Sequence, residues 1–283
     1  MNKYFKTLEL NKIIIKLTEF ASTTYGRELC EKVSPSFEIE EIKERLSETD
    51  EATKMILQFG TPAFSSIHDI RTAIKRAEIN SVLSPEELLN IADTLRGSKA
   101  LKKYYSQCEE NLPILSEIFE NLYSNPSIED SIYHAIDTVD HISDRASSEL
   151  FKIRTQIKSE ESKIQEKLNS IIRGNSYSKY LQENIVTLRN DRYVIPVKQE
   201  FRSNVPGLVH DSSSTGSTLF IEPLAIVEAN NKIHELYIQE KIEIEKILTE
   251  LSQKITEIAK TKRTRTQLSR LKEICCEVKE QES

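Results

Sequence analysis

Two stretches of this sequence repeat apolar residues every seven positions, and the stretch between them does not, which leaves few folds open. From about Ser148 to Ile172, Leu150, Ile157, Ile164 and Ile171 recur at heptad spacing, with Ile153 and Leu168 beside them. From about Leu224 to Ala259, Tyr237, Ile244, Leu251 and Ile258 do the same, with Ile233 and Ile247 at the complementary positions. Stripes of this period are buried against another helix, so the two are expected to pair as an antiparallel coiled coil. Residues 185–222 instead carry strand and turn signals: ENIVTLR, Asn190-Asp191, RYVIPVK, Pro206-Gly207, GLVHD and STLFIEP. A small antiparallel sheet between two helices that return on each other sits at the tip of an arm. A helix of about 25 residues, rising about 1.5 Å each, sets that tip roughly 38 Å from the helix base.

The first 140 residues read as helices. Leu10, Ile13, Ile14, Leu17, Ala21 and Leu29 share a face over about 7–31, and Ile39, Ile42, Leu46, Thr49, Thr53 and Ile56 share one over 37–58, after Ser34-Pro35. Ser84-Pro85-Glu86-Glu87 holds the elements of a capping box and starts a helix that runs to about Tyr105. Further helices are expected from Pro113 to Leu122 and, capped by Ser127 with Asp130, to near Val139. Composition agrees: 30% of residues are charged, with six glycines, eight prolines and no tryptophan.

Several function classes are disfavoured. The net charge of -6 argues against a chain that coats nucleic acid with its whole surface. Cys30, Cys108, Cys275 and Cys276 show no CxxC spacing, so the chain reads as reduced and cytoplasmic, with no metal ligands. The charged N-terminus has no signal-peptide pattern, and no apolar run approaches the ~20 residues a bilayer requires. The glycines permit no phosphate-binding loop, so no nucleotide site follows. Asp211-Ser212-Ser213-Ser214-Thr215-Gly216-Ser217, next to His210, reads as a polar hairpin loop between strands, since no nucleophile-elbow pattern accompanies it to suggest a serine nucleophile. His134 and His141 lack metal-site spacing and read as part of a solvated acidic face. Two basic groups remain: Arg189, Arg192, Lys198 and Arg202 on the sheet, outnumbering Asp191 and Glu200, and a block at Lys260, Lys262, Arg263, Arg265, Arg270 and Lys272.

The segments DIRTAIKRAEINSVLSPEELLNIADTLRGSKALKK (69–103) and YLQENIVTLRNDRYVIPVKQEFRSNVPGLVHDSSSTGSTLFIEPLAIVEANN (180–231), with ETDEATKMIL (48–57), resemble the MutS superfamily over about residues 1–255. The resemblance is to its second bacterial subfamily, a recombination inhibitor or endonuclease without the mismatch-reading domain. It implies a mainly α fold: a helical core domain (1–140), an ascending lever helix (141–184), a β clamp (185–222) and a descending lever helix (223–259). The tail, 260–283, departs from the family pattern and reads as a truncated or frame-disrupted end. In the full-length family, ATP and magnesium serve an ATPase and a C-terminal Smr domain carries nuclease activity. Neither is expected here, so this chain is expected to be no enzyme, with no catalytic residue and no cofactor of its own.

The resemblance implies a clamp on branched or duplex DNA, with Arg189, Arg192, Lys198 and Arg202 as phosphate contacts and homodimers only in a full-length form. A ribosome- or rRNA-directed module is the alternative, since A-form RNA also presents phosphates to a basic tip. A structural coiled-coil scaffold that touches no nucleic acid is the second.

Overall fold

The structure is a computed structural model that describes residues 9–108, 112–174 and 177–260. It is mostly helical, 64%, with a small antiparallel sheet of 4 strands, and it divides into two compact units, Asp144–Ile247 and the remainder. No described helix is long and apolar enough to cross a membrane.

In the larger unit, the stripe read over 7–31 is broken into α1 (Leu10–Phe20) and α2 (Thr24–Cys30), because Thr23 Oγ1 accepts the Gly26 N–H at 3.0 Å and starts a second helix. Helices α3 (Ile39–Phe59), α4 (Arg71–Glu78) and α5 (Pro85–Tyr105) follow. The capping box at α5 is complete: Ser84 Oγ accepts the Glu87 N–H at 3.2 Å while Glu87 Oε2 accepts the Ser84 N–H at 2.8 Å. Helix α6 (Pro113–Glu120) has no capping side chain of its own. Buried Glu51 of α3 supplies one, accepting the Ile114 and Leu115 N–H groups at 3.1 and 3.0 Å. Helix α7 (Pro126–Ala135) is capped by Asn125 rather than Ser127, since Pro126 takes the first helical position and Asn125 Oδ1 reaches the Ile128 N–H. It stops short of Val139 because β1 (Ile136–Thr138) pairs with β2 (His141–Ile142). The core between α3, α5 and α6 is built on Met55, Phe64, Leu101, Leu115 and Phe119.

Arg71 donates to Asp69 (2.9 Å) and Glu28 (2.6 Å), and its guanidinium lies 4.8 Å from the centre of the Tyr25 ring. Hydrogen bonds from Arg71 hold both carboxyl groups below their ordinary range.

In the smaller unit, α8 (Ser148–Arg173) is capped by Ser147. The sheet follows as β3 (Thr187–Arg189), β4 (Arg192–Lys198), β5 (Gly207–Ser212) and β6 (Thr218–Pro223), in the order β3-β4-β6-β5 and antiparallel throughout. Asn190 and Asp191 both take positive φ, 49° and 58°, as a two-residue hairpin between twisted strands requires. Gly207 is needed for close approach, because a Cβ there would lie 2.2 Å from the Glu222 carbonyl oxygen. The last helix, α9 (Val227–Ala259), returns antiparallel to α8 within this unit. Ser147 donates to Glu243 (2.7 Å), Arg154 to Glu240 (2.7 Å), and the Tyr237 hydroxyl to Glu161 (2.9 Å), partners that fall in number as α8 rises. Ile164, Leu168 and Ile172 pack with Ile195, Val197 and Ile221 of the sheet and with Ile226 and Ile233.

The heptad stripes need two corrections. On α8 the buried set is Leu150, Ile153, Ile157, Ile164, Leu168 and Ile172, so the stripe drifts past Ile171. A straight helix of about 3.6 residues per turn departs from a 3.5-residue repeat in this way. On α9, residues from Leu248 onward belong to the larger unit. There Ser252 Oγ accepts the Leu83 N–H (2.9 Å), Thr256 donates to the Ala77 carbonyl (2.8 Å), and Ile255, Ile258 and Ala259 close an apolar pocket of about 20 Å³ with Ile70, Ile91 and Tyr123. Leu251 is therefore a residue of that unit and not of a seam with α8. The basic block beyond Lys260 lies outside the described residues.

Leu168→Ala, at a fully buried site, is expected to cost roughly 2–5 kcal/mol in urea denaturation, whereas Phe151→Ala on the exposed side of α8 should change stability by under about 0.5 kcal/mol. The Arg71 network gives a pH test. Because the folded pKa values of Glu28 and Asp69 are depressed, their stabilisation is present above the unfolded carboxyl range, about 4, and disappears as pH falls through the folded values. Arg71→Met should be less stable than the parent at neutral pH, and their urea midpoints should converge in acid.

Candidate nucleic-acid interface

The sequence places Arg189, Arg192, Lys198 and Arg202 on or next to the sheet, and the structure separates them by what they touch. Arg192 opens β4, and its guanidinium meets both oxygens of Glu222 on β6 (2.9 and 3.2 Å) and Asn231 Oδ1 on α9 (2.7 Å). Glu222 is wholly buried. It also faces His210 Nε2 of β5 at 2.5 Å and accepts from Asn230 Nδ2 at 2.7 Å, while Asn230 bonds both the N–H and the carbonyl of Tyr193. A carboxylate removed from water is costly unless cations and donors surround it. Here they come from β4, β5 and α9 together.

Arg202 is equally occupied. It lies in the 3₁₀ turn after β4 (Gln199–Asn204) and donates to the carbonyls of Val205 (3.1 Å) and Gly207 (2.9 Å), fixing the entry to β5. Arg189 is half-exposed, lies 4.3 Å above the Phe220 ring and pairs with Asp211 at 3.4 Å. Beside it, Asn190 Nδ2 donates to the His210 carbonyl at 3.1 Å, so the β3–β4 turn is tied to β5. Lys198 stands at the far end of β4 opposite Thr218, and its side chain makes no hydrogen bond or ion pair with a described residue.

That end also holds the hydroxyl loop. Ser213 Oγ accepts the Thr218 N–H (3.1 Å), Thr215 and Ser217 hydroxyls lie 2.9 Å apart, and Gly216 turns the chain at φ 70°. The loop is tied to the turn that follows β4, where the Gln199 N–H donates to the Ser217 carbonyl (3.0 Å). His210 is engaged with Glu222 rather than with a serine. His141 bonds Asp137 across the β1–β2 turn, and among the described residues no group of three His, Cys, Asp or Glu side chains is placed to hold a metal ion.

Sequence reasoning missed Glu222 and Asn230 as the organising pair. The signal was present as a carboxylate inside the otherwise apolar run LFIEP. It also passed over the aromatic residues at the Lys198 end. Burial and the Glu161 carboxylate push the Tyr237 and Tyr193 hydroxyls up, so both remain protonated donors into the helix pair.

The site is thus a sheet on a helix pair, with Arg192 and Arg202 engaged internally and its open chemistry at one end. Comparison with known proteins shows what the chain is similar to. No family model matches. A protein of Acetivibrio thermocellus named Endonuclease MutS2 is 51% identical over 258 residues, covering 89% of this chain and 32% of that one. Proteins of the same name from Clostridium botulinum and Ruminiclostridium cellulolyticum are 47% and 46% identical over 90% and 89% of this chain. The chain is homologous to MutS2-type proteins, as the resemblance implied, and spans about a third (32%) of the length of these relatives.

The contact pattern separates structural from open cations. Arg192→Met leaves the Glu222 carboxylate buried beside a lost partner and should cost roughly 3–5 kcal/mol, whereas Lys198→Met should stay within about 0.5 kcal/mol of the parent. Urea midpoints measured side by side check both.

Proposed function

We propose that this chain supplies a nucleic-acid-binding, non-catalytic part of a MutS2-type protein, with the sheet of the smaller unit as the clamp that touches DNA and the α8–α9 pair as the lever that carries it. The observation that supports this most directly is similarity of about half the residues to proteins named as endonucleases, over a stretch that includes the whole sheet. Cleavage and any ATP- and magnesium-dependent step would belong to the parts of those longer proteins that this chain does not match. In this reading the antiparallel packing of α8 on the first part of α9 gives the sheet a stiff base, and branched or duplex DNA is the target. The ribosome-directed alternative has no contact pattern in its favour.

In this reading the contacts favour two of the four cations as phosphate partners. Lys198 is the first candidate for a phosphate and Arg189 the second, since its Asp211 partner is exposed and exchangeable. Arg192 and Arg202 act as struts. Duplex binding through Lys198 and Arg189 should show a slope of log affinity on log salt near -1.8, whereas all four cations would give about -3.6. Fluorescence anisotropy with a labelled duplex across a salt series measures it. Lys198→Met should flatten the slope by about 0.9. No duplex or branched-DNA binding at low salt would overturn the reading.

A further inference from the structure

Three half-buried aromatic rings meet where the helix pair gives way to the sheet. Tyr180, in a 3₁₀ turn (Ser178–Tyr180), lies 5.1 Å from Phe201 in the turn after β4, with the rings tilted by 47°, and 6.5 Å from Tyr177. The next residues extend the sheet: Leu181 bridges Val197, and the Gln182 N–H donates to the Pro196 carbonyl at 2.9 Å. This register brings Tyr180 opposite Lys198. Exposed Lys179 places its ammonium 4.9 Å from the centre of the Tyr180 ring. The hydroxyl loop at Ser213–Ser217 borders the same end through Gln199.

Each part suits one chemistry. Duplex DNA offers phosphates but keeps its base faces stacked inside, so aromatic rings add nothing to its grip. A single strand exposes both, and is held by aromatic side chains under its bases and by cations along its backbone. We propose that Tyr180 and Phe201, with Lys179 and Lys198, form a platform for single-stranded nucleic acid. The strand's bases stack on the ring cluster, its phosphates meet the two lysines, and the loop hydroxyls of Thr215 and Ser217 hydrogen-bond the backbone. Glu200, exposed beside Phe201, opposes the approach of phosphates and limits affinity. The inference rests on the nucleic-acid reading above and deepens it, assigning to this sheet the unpaired part of a branched substrate.

The test uses the full chain with labelled oligothymidylate, oligouridylate and a duplex of equal length; whichever single strand binds more tightly identifies the source as DNA or RNA. Tyr180→Leu and Phe201→Leu keep apolar volume but lose the flat ring, and each should weaken single-strand binding roughly tenfold while leaving duplex binding unchanged. Tyr180→Phe should keep parental affinity. Lys179→Met should flatten the single-strand salt slope by about 0.7, and Glu200→Gln should strengthen binding. Because the chain has ten tyrosines and no tryptophan, quenching of tyrosine emission reports stacking directly. Single-strand affinity unchanged in both leucine variants overturns the platform. So does duplex binding without single-strand binding, which leaves the clamp reading standing; failure to bind any nucleic acid removes both. If the leucine variants melt below the parent, Lys179→Met and Glu200→Gln decide: opposite changes in single-strand affinity support the platform, and no change in either overturns it.

Discussion

The smaller unit depends on one buried carboxylate. Glu222 has no exposure to water, and isolating such a charge would cost several kcal/mol, so its partners are obligatory. Arg192, His210 and Asn230 reach it from β4, β5 and α9, and each can do so only if the strands hold their observed register and the last helix leaves β6 at its observed angle. Apolar packing of Ile195, Val197 and Ile221 against α8 would hold the sheet to the helices without specifying that register as sharply. The same constraint sets the electrostatics. A sheet read from composition as carrying four available cations has Arg192 and Arg202 committed internally, which concentrates its open charge at Lys198.

A second polar device lies between the helices. Glu161 stands among the buried apolar positions of α8 and accepts hydroxyl bonds from Tyr193 of β4 (3.2 Å) and Tyr237 of α9 (2.9 Å), while Arg154 is held between Asp144 and Glu240. An all-apolar seam tolerates sliding; a polar group with fixed partners does not. The helix pair is therefore tied to the sheet by directional bonds as well as by burial. In the larger unit, Glu51 at the start of α6 and Ser252 and Thr256 on α9 do similar work, each satisfying backbone groups that packing alone would leave unpaired.

Much of this was readable beforehand, and the failures have definite causes. The strand RYVIPVK at 192–198, the strand at 218–223 within STLFIEP, the turn at Asn190-Asp191 and the capping box at Ser84 came through because each carries its signal in its own short run of residues. The break at Thr23 and the cap at Asn125 were missed because an apolar stripe crosses the first and a second plausible cap, Ser127, follows the other. The stripe on α9 was assigned to one partner because periodicity reports that a face is buried, not what buries it.

The sequence by itself determined that the chain is mainly helical, that a short antiparallel sheet interrupts its second half, and that it is kin to MutS2-type proteins, since local periodicity, turn chemistry and extended similarity are all properties of the chain order. Only the tertiary structure decided which charges are available. Glu222 lies thirty residues from Arg192, and Asn230 thirty-seven from Tyr193, so nothing in their local surroundings announces the pairing. The same holds for Tyr180 and Phe201, which share one end of the sheet because Leu181 bridges Val197. Whether an arginine is a strut or a contact depends on partners brought close by folding, and that is long-range information that composition and spacing do not carry.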